Sequence, residues 1–156
     1  MKNLLPLLLI AILFSNCSDD SDVDCETYDP GFATLHLKLV DANRDNLITK
    51  GTIDPNEVVL LKGESIQYNP PSEFALPDAS LRVYDNTFTL SIPRETTFEY
   101  VIQVNESETI TLRYSAEKKT ILCGLSYFVP TEATLNNSAL ELQEVFEGSF
   151  LTEIVL

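Results

Sequence analysis

Apolar and polar residues alternate along most of this chain, and almost nothing repeats at helical period. From Phe32 to Leu39, Ala33, Leu35, Leu37 and Leu39 share one parity while Thr34, His36 and Lys38 share the other. That is the period-two pattern of a half-buried strand. Val58 to Leu61 is a short apolar run closed by Lys62-Gly63. Leu81–Tyr84 and Phe88–Ile92 flank Asp85-Asn86-Thr87, a hairpin signal because Asp and Asn tolerate positive φ. Phe98, Tyr100, Ile102 and Val104 alternate with Thr97, Glu99, Val101 and Gln103. After the polar turn Asn105–Glu108, Ile110, Leu112 and Tyr114 alternate again. Ile121–Val129 reads as a strand interrupted by Gly124 and stopped by Pro130. Leu140 to Phe146 reads as another, and Phe150–Leu156 as the last.

These patterns predict an all-β domain: an antiparallel β-sandwich, Ig-like or transthyretin-like, of seven to nine short strands, with a small β-barrel as the alternative. Tyr68 to Asp78, with Pro70, Pro71 and Pro77, offers few donors to a sheet and reads as an irregular loop packed by Phe74 and Leu76. No internal repeat or second domain is visible.

The first residues follow a different rule. Met1-Lys2-Asn3 precedes eleven apolar residues, Leu4–Phe14, and then Ser15-Asn16-Cys17. A membrane-spanning helix needs about twenty. The segment resembles a bacterial lipoprotein signal, in which the cysteine is acylated and becomes the mature N-terminus. It departs from that pattern at Phe14 and Asn16, and an ordinary secretory signal with a chance cysteine is the alternative. Ser18-Asp19-Asp20-Ser21-Asp22 resembles the acidic surface-export tag of lipoproteins in the Bacteroidota. Read only by composition, it is a solvated tether. The expected organisation is therefore a signal peptide over 1–16, an acidic tether over 17–24 and a β-sandwich over 25–156. The expected location is the outer membrane, lipid-anchored through Cys17 and exposed at the cell surface.

Removing residues 1–16, whose one charge is Lys2, moves the net charge from −14 to −15 over 140 residues. Such a balance argues against nucleic acid, whose phosphates need Lys and Arg, and against lying flat on an anionic membrane. With Cys17 assigned to lipid, Cys25 and Cys123 remain, an even pair that in an exported chain is a candidate disulfide. Two buried thiols are the alternative. One histidine and two distant cysteines show no metal-ligand spacing.

Candidate chemistry is sparse. His36 falls on the polar parity of its strand with no nucleophile or orienting acid near it in sequence, and reads as an exposed strand residue. Acids are so abundant that no carboxylate pair stands out, which leaves a hydrolase as the last-ranked class. Asp41-Ala42-Asn43-Arg44-Asp45-Asn46-Leu47-Ile48 resembles the start of a calcium loop, with oxygens from Asp41, Asn43 and Asp45. Asn46 stands where Gly is usual, which a left-handed Asn would excuse, and Thr52 stands where a bidentate Glu is required. A polar turn is the other reading of these residues. Glycan platforms use exposed aromatic rings. There is no Trp, parity places Tyr100 and Tyr114 in the core, and Tyr68, Tyr84 and Tyr127 are scattered.

Cys25 shortly after the tether, the Leu35–Leu39 strand, Glu108-Thr109-Ile110-Thr111-Leu112-Arg113-Tyr114 and Cys123-Gly124 together resemble a family of small, uncharacterised surface lipoproteins of the Bacteroidota. The resemblance spans most of residues 25–156. It implies no activity, and it supports pairing Cys25 with Cys123. The expectation is a non-enzymatic surface lipoprotein that meets the membrane through its acyl chains and binds or scaffolds an envelope protein or glycan. A glycan- or calcium-binding module is the second class, and no other cofactor is expected.

Overall fold

A computed structural model describes Cys25, residues 31–74 and residues 79–156. The signal, the tether and Cys17 lie outside these residues. Among the described residues ten strands form two open five-stranded sheets packed face to face, a β-sandwich. In order they are β1 (Thr34–Val40), β2 (Val59–Lys62), β3 (Ile66–Asn69), β4 (Thr87–Leu90), β5 (Thr97–Gln103), β6 (Thr109–Thr120), β7 (Ser126–Leu135), β8 (Ser138–Leu140), β9 (Gln143–Phe146) and β10 (Ser149–Val155). The first sheet runs β3-β4-β1-β10-β9 and the second β2-β5-β6-β7-β8. Neighbours are antiparallel except β1 and β10, which run parallel over seven paired residues, Thr34–Ser149 through Val40–Val155.

Parity sets the core as the sequence pattern requires. Leu35, Leu37, Leu39, Ile102, Val104, Leu112 and Ile154 are fully buried between the sheets. Phe98, Tyr100 and Tyr114 pack as an aromatic trio with ring centroids 5.4–6.0 Å apart, spacing at which aromatic pairs add stability beyond area burial. Both phenols of the trio find an acceptor: Tyr100 Oη bonds the Ser91 carbonyl and Tyr114 Oη lies 3.4 Å from Thr152 Oγ1.

Three local readings of the sequence need correction. Leu81–Tyr84 is not a strand but part of a 3-10 turn, Ala79–Tyr84, and β4 pairs with β3 instead of forming a hairpin across Asn86. The Pro-rich stretch begins only after β3, which contains Tyr68, and Phe74 is 80% exposed rather than packed. Leu76 lies outside the described residues. Finally, 140–146 divides into β8 and β9, which belong to different sheets.

Cys123 also sits differently from the expectation. The run Ile121–Val129 is not one strand. β6 and β7 form a hairpin whose tip is a short 3-10 turn, Leu122–Gly124, with Cys123 at φ 64° and Gly124 at φ 68°. Two successive left-handed residues reverse the chain. Open space surrounds Gly124, so its role is conformational and not to admit another backbone. Cys25 is bonded to Cys123, 98 positions away in sequence, with Cα atoms 5.5 Å apart.

Candidate functional site: a groove across the second sheet

A groove of about 600 Å³ opens on the second sheet. Its walls are the segments Lys62-Gly63-Glu64 and Pro93–Glu95, where the chain passes between sheets. Its base comes from cross-strand rows of β5, β6 and β7: Thr97–Ser115–Glu132, then Glu99–Arg113–Thr134. Alternation turns these side chains away from the core trio. Glu99 is the centre of the electrostatics. Lys62 Nζ lies 3.0 Å from one carboxylate oxygen and Arg113 Nε donates to the other. Lys62 first, and Arg113 next, hold the Glu99 carboxyl below the usual carboxylate range. Arg113 also donates to Asn137 Oδ1. Glu64, Glu95 and Glu132 form no ion pair among the described residues, so the groove carries unmatched negative charge.

This arrangement suits recognition of a polar partner more than proton transfer. A carboxylate gripped by two cations is a poor proton donor near neutral pH. Phe98, Tyr100 and Tyr114 line the groove from below but are 9%, 1% and 2% exposed, so their faces are turned inward.

His36 is not the exposed strand residue that its parity implied. The segment containing the 3-10 turn covers the outer face of the first sheet, and the Tyr84 ring lies tilted against the imidazole with centroids 4.2 Å apart. Thr89 Oγ1 lies 3.3 Å from Nδ1, and burial lowers the His36 pKa. The same cover explains buried Thr87, whose hydroxyl donates to the Tyr84 carbonyl. Tyr84 Oη is itself buried without a hydrogen-bond partner among the described residues. Polar residues under an irregular segment leave no periodic trace, so parity alone assigned them to solvent.

The Asp41–Asp45 loop brings its two acids together around an ammonium. Asp41 Oδ1 accepts from the backbone N–H groups of Asn43 (2.8 Å) and Asp45 (3.0 Å). Lys50 Nζ bonds Asp41 Oδ2 at 2.7 Å and Asp45 Oδ2 at 3.1 Å. That bond to Lys50 is the main reason the Asp41 pKa is lowered. A calcium ion held by Asp41, Asn43 and Asp45 would have to displace Lys50. The left-handed residue in the loop is Arg44, not Asn46, whose Oδ1 instead accepts from Ile48 and Thr49 N–H. Among the described residues no three His, Cys, Asp or Glu side chains cluster as metal ligands do.

No family model, curated protein or solved structure matches this chain.

Proposed function

We propose that this chain is an exported, non-enzymatic lipoprotein, anchored in the outer membrane through Cys17 and exposed at the cell surface, whose sandwich binds another envelope component through the groove of the second sheet. The observation that carries the reading is the Cys25–Cys123 bond. It belongs to an oxidising compartment, and it lies eight residues after Cys17, where a tether would enter the domain. The polar, negatively charged groove supports a binding role, with a polar or basic surface as its complement.

Cys17→Ala tests the anchor. The wild-type protein should partition into detergent and the variant into the aqueous phase; identical aqueous behaviour of both removes the lipoprotein reading. A photo-crosslinking residue at Thr134 in the groove tests the binding role on intact cells. It should give a discrete adduct that the same probe at Glu106, on the distant β5–β6 turn, does not. Identical patterns from the two positions would remove the groove as the binding surface.

A further inference from the structure

The end of the sandwich that carries the Cys25–Cys123 bond differs from the rest of the surface. Beyond β6 and β7 the hairpin tip exposes Leu122 (58%) and Leu125 (39%). Beside it Phe32 is 53% exposed and packs edge-on against Tyr127, with centroids 6.0 Å apart. Residues 118–128 contain Lys118 and Lys119 and no acid, in a chain of net charge −14. Arg94 joins Lys118, Phe32 and Leu125 around one cavity of this end. None of these three cations forms an ion pair among the described residues, while every other lysine and arginine of the two sheets and their described connections does. Glu144 and Glu147 border one side of the patch, beyond Lys119.

Apolar side chains ringed by lysine and arginine are what a protein presents to a lipid surface: the apolar groups enter the headgroup boundary and the cations meet anionic headgroups. The length of the tether says which surface is in reach. Eight residues from Cys17 to Cys25 span at most roughly 26–29 Å, and Cys25 is fastened to the hairpin tip itself. The opposite end is out of range, since β6 alone is about 37 Å long at strand rise. Acids also adjoin this end in sequence, Asp24 and Glu26 beside Cys25 and Glu117 beside Lys118, so the short tether and the apolar tip, rather than net charge, set the end-on orientation.

We infer that the β6–β7 hairpin tip, with Leu122 and Leu125 flanked by Arg94, Lys118 and Lys119, docks on the anionic lipid surface to which the chain is tethered, and holds the groove at a fixed height and orientation above it. This rests on the proposed anchoring at Cys17.

The chain has no tryptophan, so one introduced at an exposed position reports alone. Lipidated, full-length Leu125→Trp and Glu106→Trp proteins are reconstituted in vesicles of anionic phospholipid with brominated acyl chains. Leu125→Trp should lose most of its emission relative to unbrominated vesicles, and Glu106→Trp should keep it. Adding Lys118→Gln and Lys119→Gln to Leu125→Trp should lower the docked-to-undocked ratio about fivefold per charge removed. Equal emission from both tryptophans in protein that sediments with the vesicles overturns the docking inference and leaves the anchor intact. Protein that fails to sediment with vesicles overturns the anchor, and the docking inference with it. Quenching that is unchanged by the glutamines overturns the electrostatic part.

Discussion

Gly63 sits against the ring of Tyr100: a Cβ at this position would lie 2.9 Å from Cε1 and closer still to Cδ1. Its φ of +134° is one that side-chain-bearing residues rarely adopt. Backbone strain and overpacking therefore act together where the chain leaves β2 for the first sheet. Gly63→Ala should cost about 2–4 kcal/mol. Chemical denaturation should show a lower midpoint with an unchanged slope. A midpoint within error of wild type would mean that the turn relaxes freely.

The bridge is testable by pairs. Cys25→Ser and Cys123→Ser should each cost about 2–5 kcal/mol, and the double variant should be no worse than either single one. Native, air-oxidised protein should leave both thiols blocked to alkylation.

Tyr84 Oη is shielded from solvent and has no partner among the described residues, an arrangement that costs about 1–3 kcal/mol for a buried hydroxyl. Tyr84→Phe keeps the ring on His36 and removes the orphan oxygen. It should be neutral or raise the melting temperature, and a clear fall would reveal a bond to Oη.

Burial lowers the His36 pKa, so the unfolded chain takes up a proton at a higher pH than the folded one. The associated stability is complete above the unfolded value, about 6.5, and is lost as pH falls through the folded value. Melting temperatures from pH 7.5 downward should decline more steeply in wild type than in His36→Gln. Parallel curves would assign the decline to other groups.

The lysine in the Asp41 loop sets a further expectation. Melting temperature should stay flat up to millimolar calcium, whereas a bound ion at a hundredfold excess over Kd would add about 2.7 kcal/mol. The Asp41–Lys50 contact has its own pH signature. Asp41, with a lowered pKa, contributes above the ordinary carboxylate range and loses that contribution as pH falls through its folded value. Lys50, with a raised pKa, contributes below about pH 10.4 and loses it as pH rises through its folded value. Carboxyl NMR titration of Lys50→Met should move Asp41 back toward the ordinary range.

Much of the sandwich was legible because burial on one face imposes period two, and Leu35–Leu39, Phe98–Val104 and Ile110–Tyr114 keep it without interruption. What stayed hidden has a different physical origin. β4 lies between β3 and β1, held by contacts such as Tyr68 with Phe88 that no local turn announces. The groove is a juxtaposition of Glu99, Arg113 and Glu132 from three strands, each of which looks like an ordinary solvent-facing residue in its own strand. The occupation of the Asp41 loop by Lys50 was hidden because the lysine is nine residues away. Cys123 looked strand-like because its neighbours Ile121, Leu122 and Leu125 are apolar; Leu122 and Leu125 are exposed at the tip of a hairpin.

The parallel pairing of β1 with β10 carries a consequence for how the molecule is assembled. β10 is the neighbour of β1 at the middle of the first sheet, yet it lies 115 residues later in the sequence. Such pairing has high contact order, and its loop-closure cost falls before any reward from contact. The second sheet can form from β5, β6, β7 and β8 in sequence, each beside the one before it. The first sheet must wait for the ribosome to deliver its second-to-edge strand. A chain emerging from its N-terminus thus keeps β1 without a permanent neighbour on one side until β10 is complete.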